Sequence, residues 1–276
     1  MPMQSEASGF ATVNGARIHH RLDGKPEAPV LVLSNSLGAD LSMWEPQLVA
    51  FTRQFRVLRY DTRGHGASQV TPGEYTLDLL GRDVVGLLDQ LGISRASFCG
   101  LSMGGLIGMW LGLHAPDRME KLVLCNTGAK IGSAESWNAR IDAVRKGGLA
   151  AIRDAVLERW FTPSFRAREP GAVNRFKEVF LKTSPEGYVA NCAAIRDADL
   201  RDAIAGIRSL TLVVTGSHDL ATPPAGARFM VERIAGAKYV ELDSAHISNV
   251  EMAARFTEGV LQFLAGQASS ATPGRS

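Results

Sequence analysis

Cysteine is scarce in this chain, neither sign of charge is in excess, and no long apolar run occurs. Each absence excludes something. Cys99, Cys125 and Cys192 are odd in number and widely spaced, so they form neither a disulfide framework nor a Cys-x-x-Cys metal or redox pair. Cys99 and Cys125 sit in apolar strand-like runs, where a small buried side chain is their plain use. A formal net charge of +2 argues for neither nucleic acid nor an acidic membrane surface as a partner. The nearest thing to a basic cluster, Arg166-Ala167-Arg168, is answered at once by Glu169. No segment approaches the roughly 20 apolar residues of a membrane helix. Met1–Gly9 lacks the cationic start and apolar stretch of a secretory signal. The chain is therefore expected in the cytoplasm. Internal repeats, a Gly-rich phosphate loop and a His/Cys metal cluster are also missing.

What is present is an ordinary globular composition, 45% apolar over 276 residues, enough for one large core with a modest insertion. Strand-like runs recur at Val30–Asn35, Phe55–Tyr60, Ala96–Leu101, Lys121–Cys125, Leu210–Thr215 and Lys238–Leu242. They are rich in Val and Leu without clean polar alternation, which suits parallel strands buried on both faces. Helical spacing marks Leu77–Leu91, Met103–His114 and Met252–Leu264 between and after them. The pattern predicts an α/β fold with a doubly wound, mostly parallel sheet. Phe10–Asn14 and Ala16–Leu22, split at Asn14-Gly15, read as an antiparallel hairpin on its edge.

One stretch breaks the rhythm. From about Gly128 to Arg201 helical patterns run without a convincing strand, and arginine and aromatics are frequent, with Trp137, Trp160, Phe161, Phe165, Phe176 and Phe180. The expected organisation is a core over 1–127 and 204–266, a helical cap over 128–203, and a small polar tail over 267–276. Such a cap would lie over the C-terminal ends of the strands.

The sharpest signal is Gly100-Leu101-Ser102-Met103-Gly104, followed by Gly105. It matches Gly-x-Ser-x-Gly with a strand ending at Leu101 and a helix starting at Met103. A serine there sits on a strained strand-to-helix turn with its hydroxyl lifted above the sheet edge. Glycines flank it because a Cβ would clash where the backbone folds so tightly. The helix start also turns free N–H groups toward any negative charge that develops.

A serine hydroxyl needs a base. Of six histidines, His246 in Asp243-Ser244-Ala245-His246 follows the last strand, late in the chain at the correct sheet edge. His19 and His20 lie in the first hairpin, and His114 is one helix away from Ser102. His65, in Arg63-Gly64-His65-Gly66, reads as a loop brace, and His218 is the runner-up base. Asp219 follows the strand Leu210–Thr215 and completes the order serine, acid, histidine. The alternative acid position one strand earlier holds Cys125-Asn126-Thr127, with no carboxylate. Asp243 and Glu251 flank His246 and are read as surface charges. The oxyanion hole needs two donors. They are assigned to the N–H of Met103 and the N–H of Leu37, in Ser36-Leu37-Gly38-Ala39-Asp40, where Gly38 lets the loop pass close to substrate.

These motifs resemble those of the α/β-hydrolase fold, and the chain more particularly resembles the 3-oxoadipate enol-lactonases of the β-ketoadipate pathway. The resemblance rests on Ser34-Asn35-Ser36-Leu37-Gly38 with Met43-Trp44, on Arg59-Tyr60-Asp61-x-Arg63-Gly64-His65-Gly66, and on the segment around Ser102. It continues in Thr215-Gly216-Ser217-x-Asp219-Leu220-Ala221-Thr222-Pro223-Pro224 and Ala245-His246-Ile247-Ser248-Asn249-Val250-Glu251. It implies hydrolysis of 3-oxoadipate enol-lactone by Ser102, His246 and Asp219, with a small-molecule lactone as partner and no metal or organic cofactor. The acetate arm of that lactone calls for a cation. The insertion offers Arg140, Arg145, Arg159 and Arg196. Trp137 and Arg140, three apart, share a helix face, so Arg140 is expected to meet the carboxylate and Trp137 to wall the ring. The rival readings are another small esterase or a carbon–carbon-bond hydrolase with the same three residues, and a non-catalytic receptor on the same fold. Dehalogenases of this fold use an aspartate nucleophile, against which Ser102 argues.

Overall fold

The apolar runs assemble into an eight-stranded sheet in a computed structural model that describes residues 7–266. The strands are β1 (Ala7–Val13), β2 (Ala16–Asp23), β3 (Val30–Ser34), β4 (Arg56–Tyr60), β5 (Ala96–Leu101), β6 (Met119–Cys125), β7 (Leu210–Gly216) and β8 (Lys238–Leu242). Their order is β1-β2-β4-β3-β5-β6-β7-β8. β1 and β2 are antiparallel, β2 pairs antiparallel with β4, and all other pairings are parallel. Asn14 and Gly15, at φ 45° and 74°, turn the hairpin in the left-handed region its tight connection requires. Every residue of β5 is buried, as is all of β7 after Leu210, which explains why those runs lack alternation.

The helices of the core are α1 (Glu45–Phe51), α2 (Leu77–Gln90) and α3 (Met103–His114). In α2, Thr76 caps the first turn by accepting the Leu79 N–H, and Leu77, Leu80, Val84, Leu87 and Leu88 form the buried stripe. α3 is buried on all sides from Met103 to Gly112, because it sits between the sheet and α2. It comes so close that a Cβ on Gly81 would stand 2.0 Å from the Trp110 ring.

Five helices separate β6 from β7: α4 (Ala134–Gly147), α5 (Arg153–Trp160), α6 (Pro163–Arg168), α7 (Pro170–Lys182) and α8 (Pro185–Asp197). The last three each open with a proline, whose missing N–H and fixed φ suit a first turn. The aromatics of this segment pack on one another and join the main core. Trp160 meets Phe176 and Phe180 edge-on at 5.9 and 5.7 Å, and Phe161 stacks on Phe165 at 5.1 Å. α8 is seated directly on the loop after β4: a Cβ on Gly187 would stand 2.2 Å from the Gly64 carbonyl oxygen. Asn191 locks that seat by donating to the Arg63 carbonyl at 2.8 Å.

After β7 come α9 (Pro224–Arg233), α10 (Ser248–Glu251) and α11 (Ala253–Leu264). The expected strands and helices match within two residues except β1, which begins three residues earlier than expected, and α1, α9 and the single turn α10 have no counterpart in the sequence reading. The expected tail over 267–276 lies outside the described residues. β3 is followed in space by β4 on one side and β5 on the other, so the chain reverses direction across the sheet there. A crevice opens at such a switch point, above the carboxyl ends of β3 and β5.

Candidate active site

Ser102 stands at that crevice between β5 and α3, with φ 59° and ψ −113°, a conformation strained for any residue but glycine. The flanking glycines permit it. A Cβ on Gly100 would lie 2.1 Å from the Gly104 oxygen, and one on Gly104 would lie 2.3 Å from the Ser34 oxygen. The turn is pinned from β6: the Ser102 N–H donates to the Cys125 carbonyl at 2.9 Å, and the Thr127 hydroxyl donates to the Ser102 carbonyl at 2.8 Å. Met103 is the first residue of α3, where an N–H has no acceptor within the helix.

The loop after β3 reaches the same place. The Ser36 N–H donates to the Met43 sulfur, the Gly38 N–H to His65 Nε2 at 2.9 Å, and the Ala39 N–H to the Ser36 carbonyl. Among the described residues this leaves the Leu37 N–H without an internal acceptor, beside the cavity that Ser102 also lines. His65 is thus a brace. Burial pushes its pKa down to about 4, against a hydrogen bond with Arg63 and the nearby Asp61 charge. It stays neutral, with Nε2 free to accept.

Asp219 and His246 meet at 2.9 Å, Oδ2 to Nδ1, and both are about 2% exposed. The carboxylate has a full set of donors. Oδ1 accepts the N–H groups of Ala221 and Thr222 at 2.8 and 2.9 Å; Oδ2 accepts the Thr222 hydroxyl at 2.7 Å and the Asn126 amide at 3.0 Å. Burial raises the Asp219 pKa, but the neighbouring His246 and the bonds from His246 and Thr222 outweigh it, and the carboxyl ends below its ordinary range. Asn126 also donates to the Ala245 carbonyl at 3.2 Å and accepts the Ser248 hydroxyl at 2.5 Å. It holds the acid loop and the histidine loop together. Sequence reasoning noted only that this position lacks a carboxylate.

Three other histidines have other partners. His218 is exposed and pairs with Asp243, His19 with Asp61, and His114 bonds the Trp110 carbonyl. Ser102, Leu37 and His246 line one cavity of about 460 Å³ beneath α4, α5 and α8. Trp137 and Arg140 stand in its wall, with the Arg140 guanidinium 4.7 Å above the Trp137 ring and the indole N–H donating to the Ile131 carbonyl. Arg159 and the buried Tyr188 share the wall. Among the described residues no ion pair engages Arg140 or Arg159. Arg196 instead pairs with Glu74 and Asp197, and Arg145 is exposed on α4 outside the cavity. No group of three or more His, Cys, Asp or Glu side chains among the described residues is placed to hold a metal ion.

One expectation is corrected. Glu251 is not a surface charge: it is 9% exposed and accepts hydrogen bonds from Ala245 and Thr162. The short helix α10 turns its side chain back under the histidine loop, a reversal that hydrophobic spacing does not record. Asp243 is exposed as expected.

The family model of the alpha/beta hydrolase fold matches residues 29–153. The chain is 41% identical over 249 residues to 3-oxoadipate enol-lactonase 2 of Acinetobacter baylyi, an alignment spanning 90% of this chain and 93% of that one. It belongs to the 3-oxoadipate enol-lactonase family. Within this family, enol-lactonase 1 of the same organism is 38% identical over 88% of this chain and 91% of its own. The crystal structure of the enol-lactonase from Burkholderia xenovorans superposes with a TM-score of 0.92 at 52% identity, covering 93% of this chain and all of that one. The members are carboxylic ester hydrolases. A hydroxyl on a strained turn, a buried carboxylate–imidazole pair and a free Leu37 N–H beside one cavity suit acyl transfer.

Proposed function

We propose that this chain hydrolyses 3-oxoadipate enol-lactone to 3-oxoadipate, with Ser102 as nucleophile, His246 as base and Asp219 orienting the base. The single observation that carries the reading is the buried Asp219–His246 pair, facing with Ser102 a cavity whose wall bears Arg140, which has no carboxylate partner among the described residues. The names of the family members supply the substrate.

In this reading Ser102 Oγ attacks the lactone carbonyl while His246 takes its proton at Nε2, and Asp219 stabilises the imidazolium. The N–H groups of Met103 and Leu37 hold the oxyanion. Collapse breaks the acyl–oxygen bond of the ring and expels an enolate that remains attached through the acyl chain. His246 returns the proton, and the enol relaxes to the ketone. That relaxation removes the nucleophile that would re-close the ring. Water, deprotonated by His246, then attacks the Ser102 ester and releases the second carboxylate. Arg140 holds the acetate arm and Trp137 walls the ring throughout. The core over 1–127 and 204–266 supplies the chemistry, and the cap over 128–203 supplies the substrate wall.

The chain is further proposed to act in the cytoplasm, within the β-ketoadipate pathway of aromatic degradation. Its three described cysteines are buried free thiols, which fits a reducing compartment. No described helix is long and apolar enough to cross a membrane.

The test is loss of ultraviolet absorbance from freshly generated enol-lactone, with the Ser102→Ala variant alongside. Turnover is expected in the wild type, and a fall of about a thousandfold or more in the variant. A wild type that cleaves simple esters yet leaves the lactone intact would overturn the substrate and keep the triad.

A further inference from the structure

Glu251 has no part in the Asp219–His246 pair, yet its carboxylate is buried and fully engaged. Its Oε2 accepts the N–H of Ala245 at 3.1 Å and the N–H of Thr162 at 3.3 Å, and its Oε1 accepts the Thr162 hydroxyl. Ala245 immediately precedes His246. On the other side of the histidine, the Ile247 N–H donates to the Trp160 carbonyl at 3.0 Å. Both neighbours of His246 are therefore fastened to residues 160–162, at the junction of α5 and α6.

That junction is part of the cavity. Trp160 and Arg159 line its wall, and Trp160 packs edge-on against Phe176 and Phe180 of α7. Thr162 has two duties on one oxygen: it caps α6 by accepting the Phe165 N–H at 3.2 Å, and it gives its proton to Glu251. No cation pairs with Glu251 among the described residues; neutral donors alone satisfy it. Burying such a carboxylate is costly unless every donor is in place, so the carboxylate penalises any displacement of the 160–162 segment from the histidine loop. A neutral apolar contact would tolerate sliding that this clamp does not.

We propose that Glu251 is a positioning residue that ties the reach of His246 toward Ser102 to the seating of the cap wall at Trp160–Thr162. It rests on the proposed roles of Ser102 and His246. A base displaced by a fraction of an ångström loses its near-attack geometry while the substrate pocket keeps its binding groups.

Kinetics of Glu251→Gln, Thr162→Val and Thr162→Ser test this, on the lactone and on p-nitrophenyl acetate, with melting temperatures and the rate of Ser102 labelling by phenylmethylsulfonyl fluoride. Thr162→Val is expected to lower kcat by tenfold to about a hundredfold, with KM changed less than about threefold. Its Ser102 labelling should slow in parallel. Thr162→Ser, which keeps the hydroxyl, should restore both, and Glu251→Gln, which keeps the shape, should fall between. A lower melting temperature with wild-type kcat in the folded variants would overturn the proposal, as would a kcat loss that Thr162→Ser shares. Ser102→Ala separates the two readings: if it stays active, the triad itself falls, whereas a dead Ser102→Ala beside a fully active Thr162→Val removes Glu251 alone.

Discussion

At the scale of single residues, the site depends on polar side chains whose importance comes from what surrounds them. Ser102 was legible because its glycines, strand and helix are contiguous in sequence. Asn126 was not, since its three partners Asp219, Ala245 and Ser248 lie far along the chain and meet only in the fold. Glu251 illustrates the same limit: next to His246 a carboxylate reads as a solvated charge until Thr162 arrives from the insertion. Asn126 also occupies φ 44°, a conformation asparagine tolerates better than alanine. Replacing it tests both properties. Asn126→Gly keeps the backbone freedom and removes the bonds; kcat is expected to fall about tenfold, with a loss of about 1–2 kcal/mol in urea unfolding. Asn126→Ala should lose about 1 kcal/mol more from strain. A glycine variant with undiminished kcat would show that the amide does not hold Asp219 in its working position.

At the scale of elements, the loop after β3 is a backbone feature held by a side chain from another strand connection. His65 accepts the Gly38 N–H, and α8 closes over both through Asn191 and the Gly64–Gly187 approach. The bracing role of His65 was readable from its place in Arg63-Gly64-His65-Gly66. Which insertion helix covers the loop was not, because the insertion's aromatics serve the core and the cavity wall with the same spacing. Phe180 and Tyr188 pack so near the loop that a Cβ on Gly38 would stand 2.7 Å from the Phe180 ring. The buried His65 makes the element sensitive to acid. Its folded pKa of about 4 lies below the ordinary 6.5, so the unfolded chain takes up the proton first. The stabilisation is complete above pH 6.5 and is lost as pH falls toward 4, by roughly 3 kcal/mol in all. Protonation at Nε2 also removes the acceptor of the Gly38 N–H. Urea midpoints measured from pH 7 to 4.5 should fall more steeply for the wild type than for His65→Gln, which stays neutral throughout. Parallel slopes would show that His65 titrates normally.

At the scale of the whole molecule, charge is nearly balanced overall and unbalanced at one place. The sum of +2 says nothing about the cavity, where among the described residues Arg140 and Arg159 stand without carboxylate partners, unlike the buried Arg59 and Arg63, which pair with Asp23 and Asp83. The fold lines the Ser102 cavity with both cations because α4 and α5 lie over it. An anionic arm held there would present its other end, the lactone carbonyl, to the strained turn. Arg140, half-buried against Trp137, should form the stronger contact, because a charge-assisted bond gains strength away from water. Arg159 is exposed at the rim and should contribute less. Arg140→Ala is therefore expected to raise KM for the enol-lactone by about tenfold to a hundredfold, the equivalent of roughly 1.5–3 kcal/mol for a hydrogen bond to a charged group. Arg159→Ala should raise it by about threefold or less, and added salt should diminish the Arg159 effect first. Neither change should alter KM for phenyl acetate, which carries no charge for them to meet. An Arg140→Ala variant with unchanged KM for the lactone would remove the guanidinium from substrate binding. The same loss on both substrates would mean that Arg140 shapes the wall through Trp137 and does not read the carboxylate.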